Sequence, residues 1–164
     1  MEKTSRRRAR PSWTTAVLAL GALVVAPLVT ACAPASAEGP VAGLPEARDR
    51  WAVAGYDDYE FTLTSSCGER NLVGDFDVEV AAGEVVAVAA SLAHLEMTPE
   101  SYVESGGRTI DGFLDLVDER HEDVIDVAFD DELGYPTSLT LDPMPRAIDD
   151  EECYAITDVH PARG

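Results

Sequence analysis

Apolar and polar residues recur with two different periods along this chain, and the switches between them outline a series of elements. Leu44, Ala47, Trp51 and Ala54 recur at helical spacing. Pro45 suits a first helical turn, Glu46 suits the positive end of the helix dipole, and Gly55 can end the helix. From residue 59 the period shortens to two. Tyr59, Phe61 and Leu63 alternate with Glu60, Thr62 and Thr64, which predicts a strand with its aromatic side toward the helix. Phe76, Val78 and Val80 alternate with Asp75, Asp77 and Glu79, a period-two row that reads as a solvated strand face rather than a calcium loop, and a hairpin about Ala82-Gly83 leads into 85–89. That continuous apolar run is typical of a central strand. Residues 91–108 show neither period. Pro99 and Gly106-Gly107 predict an irregular segment, whose Leu92, Leu95, Met97, Tyr102 and Val103 pack down, form an edge strand or line a binding surface.

The helical period returns at Ile110, Phe113, Leu114 and Val117, behind Thr109 as a plausible N-cap and Asp111 in the first turn. Residues 124–129 read as a strand with Ile125, Val127 and Phe129 inward. Residues 130–134 turn the chain into a strand over 136–142 with Leu139 and Leu141 inward. A loop stiffened by Pro143 and Pro145 precedes the last strand, 152–159, and 161–164 reads as a frayed tail. The order is α-β-β-β-α-β-β-β. Strands joined by short turns pair antiparallel, and both helices need a sheet to bury their stripes. The expected fold is therefore α+β: an antiparallel sheet of about six strands with two helices packed on one face. The repeated α-βββ order hints at duplication, with no residue-level match behind it.

Upstream of this domain the pattern changes character. Lys3, Arg6, Arg7, Arg8 and Arg10 precede an apolar run over 14–29, and small residues then lead to Cys32. This is the three-part layout of a secretory signal, with a run shorter than the ~20 apolar residues of a stable span. Val29-Thr30-Ala31-Cys32 resembles the bacterial lipobox, in which the cysteine thiol receives diacylglycerol and cleavage falls between Ala31 and Cys32. Residues 1–31 are thus expected to be a lipoprotein signal peptide and 32–43, rich in Ala, Pro, Ser and Gly, a flexible tether. A single α+β domain spans 44–160, with 161–164 as the tail. The alternatives are an uncleaved signal anchor and a soluble exported protein. The arginine run leaves the general and twin-arginine export routes both open.

Charge narrows the partners. The chain holds 12 basic and 31 acidic residues, for a net charge of −19. The leader carries five of the basic residues and one acidic residue, so the part beyond it is net −23. Such a field repels nucleic acid and anionic headgroups and favours cations or basic partners. With Cys32 lipidated, Cys67 and Cys153 remain. An even pair in an exported chain favours a disulfide, the alternative being two buried free thiols.

Candidate chemistry is sparse. Asp142 together with Asp149, Asp150, Glu151 and Glu152 is the best polar constellation, because a hairpin would bring the acids to one edge. Oxygen ligands on a rigid loop suit Ca²⁺, yet no standard calcium-loop pattern is present, and a solvated connection explains the same residues. His94, His121 and His160 are dispersed. No metalloprotease, nucleophile-elbow or phosphate-loop motif occurs, so no catalytic residue and no cofactor is assigned.

Arg50-Trp51 with 56–59 and Cys67, the run Thr109-Ile110-Asp111-Gly112-Phe113, Phe129-Asp130 with Gly134-Tyr135-Pro136-Thr137-Ser138, and Asp142 with Asp149-Asp150-Glu151 and Tyr154 together make up a further pattern. It resembles the actinobacterial lipoproteins of the domain-of-unknown-function 6174 family. The resemblance covers most of 46–159 and implies architecture and location more than activity. Where that family carries Cys-x-Cys, this chain has the single Cys67, which leaves Cys153 as its partner. The expected protein is a noncatalytic binding module at the outer face of the plasma membrane. It is held there through lipid on Cys32 and open to an envelope protein or peptide, with no nucleic acid. A calcium-binding domain and a carboxylate-dependent hydrolase using 91–108 or 142–152 are the rival expectations.

Overall fold

Two antiparallel meanders build the sheet, in a computed structural model that describes residues 39–68, 72–91 and 96–163. The first is β1 (Tyr59–Ser65), β2 (Gly74–Ala81) and β3 (Glu84–Ala90); the second is β4 (Val124–Phe129), β5 (Pro136–Leu141) and β6 (Glu152–Pro161). They meet where β1 pairs with β6, giving the order β3-β2-β1-β6-β5-β4. The expected six-stranded antiparallel sheet is therefore present. The leader, Ala31, Cys32, the tether up to residue 38, and Leu92, His94 and Leu95 lie outside the described residues. Among the described residues no helix is long and apolar enough to cross a membrane.

Alternation decides which side of the sheet is packed. Tyr59, Phe61, Leu63, Phe76, Val78, Val80, Tyr154 and Ile156 are all buried. Register places Leu63 opposite both Phe76 and Ile156, so these side chains form one continuous apolar face. Three helices lie over it: α1 (Leu44–Ala54), α2 (Pro99–Glu104) and α3 (Ile110–Glu119). Ring contacts tie each of them to the sheet. Trp51 meets Tyr59 edge-on at 5.2 Å, Tyr102 meets Phe76 at 6.0 Å, and Phe113 meets Tyr154 at 5.2 Å. Arg48 locks α1 to α3 by donating to the Leu114 carbonyl at 3.0 Å and pairing with Asp115 at 2.9 Å.

Several sequence expectations need correction. The segment 91–108 is not wholly irregular, because α2 forms within it. Thr98 and Ser101 make a reciprocal capping box and Pro99 fills the first turn. So short a helix is held by burial of Tyr102, which is 0% exposed, rather than by propensity. The run at 85–89 is an edge strand, not a central one. Val85, Val88 and Ala90 lean on the core while Ala87 and Ala89 stay exposed. Val86 is exposed with them, so a run that reads as buried on both sides is half solvated, at a small cost where the exposed residue is alanine.

Ile125 does not point inward either; it is 58% exposed. A register shift pairs Val124 with Leu141 and Asp126 with Thr140, leaving Ile125 as the bulged extra residue and turning Val124 into the core. At the other end of the chain, β6 runs to Pro161, which pairs with Tyr59, and the Ala162 amide donates to the Asp58 carbonyl at 3.1 Å. The strand thus outlasts its expected end at 159. The order of strands also argues against duplication. β1 is central whereas β4, its counterpart in the second half, is at an edge, so the halves occupy inequivalent places.

Candidate functional site

Two polar regions stand outside the core, and they are built differently. The first is the connection between β5 and β6. Leu141 pairs with Glu152, so Asp142 and Glu151 flank the same end of the hairpin. Asp149 is exposed and adopts a left-handed backbone, φ 66. Both carboxylate oxygens of Asp150 and Oδ1 of Asp142 are buried, without a hydrogen-bond partner among the described residues. The acids do not converge: among the described residues no three His, Cys, Asp or Glu side chains gather as a metal ion would need.

The neighbouring acid has a different place. Glu152 is 3% exposed. Arg120, which follows α3, donates to its Oε1, and the Tyr154 hydroxyl donates to its Oε2 at 3.0 Å. Arg120 also donates to Asp123 at 3.0 Å. Burial works against the charged guanidinium, but the two carboxylates outweigh it and hold Arg120 above the ordinary arginine range. Sequence reasoning grouped Glu152 with the solvated acids. Its signal was its phase, since Glu152, Tyr154 and Ile156 stand at period two and all three are buried. A buried carboxylate satisfied by a guanidinium and a phenol holds α3 to β6; it is a structural pair.

The bridge between Cys67 and Cys153 closes this end of the sheet, with Cα atoms 5.3 Å apart and a sequence separation of 86. It lies just past the β1–β6 pairing, where the Ser66 amide also donates to the Cys153 carbonyl at 3.2 Å. Gly68 follows with φ +79, and a side chain there would collide with the Glu151 carbonyl. Only glycine lets the backbone pass so close.

The second region is the outer side of the sheet. A groove of about 390 Å³ crosses β1, β2 and β3 there, lined among others by Glu60, Thr62, Asp77, Glu79, Ala87, Asp158 and His160. Thr62 donates to Asp77 at 2.9 Å and Thr64 to Asp75 at 2.7 Å, which orients these carboxylates. His160 Nε2 stands 4.0 Å from a Glu60 oxygen. His121 is far along the chain, in the turn after α3, with Nδ1 3.0 Å from the Asp118 carbonyl. The Asp75, Asp77 and Glu79 row is exposed along this side of β2, as its alternation with Phe76, Val78 and Val80 predicts. A separate groove of about 640 Å³ separates the β2–β3 hairpin tip from the α2–α3 link, with Val85, Pro99, Val103 and Arg108 in its walls.

The Gly-Tyr-Pro turn before β5 proves structural. Asp130 Oδ1 accepts from the amides of Glu132 and Leu133, and the Asp130 amide donates to the Tyr135 carbonyl at 2.8 Å. Gly134, at φ +83, presses on the Ala47 carbonyl of α1 where no side chain would fit. Fold and bridge together define a disulfide-linked α+β domain with one sheet face packed under helices. More particularly, the chain belongs to the family of unknown function DUF6174, whose model matches residues 43–161. No curated protein and no solved structure matches it.

Proposed function

We propose that the protein is an actinobacterial lipoprotein, cleaved before Cys32 and held by lipid on that residue at the outer face of the plasma membrane. There it serves as a noncatalytic binding module. The leader, the lipobox-like pentapeptide and the tether support the anchor. The observation that carries the binding reading is a six-stranded sheet with helices over one face and a grooved, polar surface on the other. A lipid with two or more acyl chains would keep such a surface at the membrane, since each buried CH₂ contributes about 0.8 kcal/mol. The acidic domain would stand off anionic headgroups on its tether.

Intact-mass spectrometry of protein extracted from its native membrane tests the anchor. The expected mass begins at Cys32 and carries acyl groups; an unmodified mass, or one that retains residues 1–31, removes the lipoprotein reading. Turnover of a substrate by the mature protein in a broad hydrolase screen, lost on replacing Asp142 and Asp150, would replace the binding reading with the hydrolase one.

A further inference from the structure

This inference rests on the binding-module reading and names what its open sheet face takes. None of the six strands contains a lysine or an arginine. The described arginines, Arg48, Arg50, Arg108, Arg120, Arg146 and Arg163, all stand on helices, connections or the C-terminal tail. The strands therefore supply no cation; Arg120 reaches β6 from the packed side at Glu152, and the grooved outer surface is lined by carboxylates, hydroxyls, alanines and one imidazole.

Register arranges that face in rows. Ala87, Glu79, Glu60 and His160 follow one another across β3, β2, β1 and β6, and Ala89, Asp77, Thr62 and Thr157 form the next row. Small alanines beside long carboxylates make the groove of about 390 Å³. Glu60 and Glu79 are direct cross-strand partners. Like charges directly opposite each other destabilise a sheet. The free protein carries that cost where any neutral pair would avoid it, and a cation lying between the two would remove it.

We propose that this face docks an arginine-bearing, extended polypeptide segment, with guanidinium groups seated between Glu60, Glu79 and Asp77. A guanidinium is planar, delocalised and weakly hydrated, and it can bridge carboxylates that do not converge on a point. A small hard cation needs convergence, and among the described residues no such gathering occurs. A second copy of this chain would oppose carboxylate to carboxylate. Nucleic acid and anionic lipid are repelled for the same reason.

The test measures binding of a fluorescent hexa-arginine peptide to the mature protein by anisotropy near physiological salt. Glu60→Gln with Glu79→Gln is expected to weaken binding at least tenfold. Glu119→Gln with Glu122→Gln, which removes the same charge from the exposed side of α3 and the turn after it, is expected to change it less than twofold. Equal losses in the two double variants would reduce the effect to bulk charge and overturn the proposal, as would no loss in either. The first pair should also melt about 1–2 °C higher, since repulsion is relieved; an unchanged or lower melting point would count against the opposed pair being a cost. Thr62→Arg, which supplies a guanidinium in the groove, should abolish peptide binding in a folded protein, and retained binding would overturn the site. Photo-crosslinkers at Ala87 and Val103 in living cells separate the two levels of the claim. Adducts from Ala87 that vanish with the Glu60/Glu79 variant support the docking face. Adducts from Val103 alone leave a binding module but sink this face, and adducts from neither sink both.

Discussion

Along β1, Tyr59, Phe61 and Leu63 enter the packed side of the sheet while Glu60, Thr62 and Thr64 leave on the other. The two sides share one backbone and one register yet differ in almost every physical respect. The packed side holds the aromatic rings and fully buried aliphatic residues that meet three helices. The open side holds short hydroxyl and alanine side chains with opposed carboxylates. Packing energy is concentrated on the first, and the second is free to vary in chemistry without unfolding the domain. That division leaves one side of the strands open to solvent while the other makes the core.

Substitutions on the packed side should break this contrast most visibly. Phe113→Ala empties a site that is 0% exposed under α3 and is expected to cost about 4–5 kcal/mol in urea unfolding; a loss below about 1 kcal/mol would mean that α3 is not anchored there. Replacing Cys67 and Cys153 with serine frees the seam between the meanders. Opening a loop whose ends are 86 positions apart should cost about 4 kcal/mol by chain entropy, and an unchanged melting temperature on reduction would show that the thiols are not joined. Arg120→Met should cost about 3 kcal/mol, because it strips a guanidinium from a carboxylate that is 3% exposed. Restoring stability with Glu152→Gln in the same chain would confirm that the loss is electrostatic.

Tyr59→Phe is a finer probe. The Ile110 amide donates to the Tyr59 hydroxyl at 3.0 Å, so a strand residue caps the first turn of α3. Losing that acceptor should cost about 1 kcal/mol. The same residue sets a pH limit. Burial, partly offset by the Ile110 hydrogen bond, pushes its hydroxyl up to about 12, whereas the unfolded chain titrates near ~10. The folded form keeps a proton that the unfolded form loses, so this contribution is complete below pH ~10 and falls away as pH rises toward 12. Alkaline unfolding followed in wild type and Tyr59→Phe should diverge in that window. Burial raises Tyr102 as well, so the variant should keep part of the alkaline loss. On the open side, Thr62→Ala should change stability by no more than about 0.5 kcal/mol. A core-sized effect there would erase the distinction between the faces.

Much of the fold was legible because side-chain period reports on the face that is buried. The stripe of α3, the N-cap at Thr109 and the inward set of β1 and β2 all follow from local rules. The errors arose where a local signal had two meanings. Val85 to Ala89 is apolar without a break, and only the path of the meander makes it an edge. Ile125 has the right phase for the core until a bulge shifts the register. Glu152 was grouped by charge with its acidic neighbours, although its phase marked it as inward. The open groove was seen as a solvated row on β2, because its opposite wall comes from Glu60, Asp158 and His160, elsewhere in the chain.

By itself, the sequence determined the strands, the two longer helices, the candidate cysteine pair and the acidic balance, since periodicity, capping and charge are local or additive quantities. Tertiary structure decided that β1 and β6 form the central seam, that Tyr59 caps α3, that Arg120 neutralises Glu152, and that Glu60 faces Glu79 across the open side. Each of these depends on which distant segments pair and in what register. That choice is made by burial of the whole sheet face under three helices, and no single stretch of the chain encodes it.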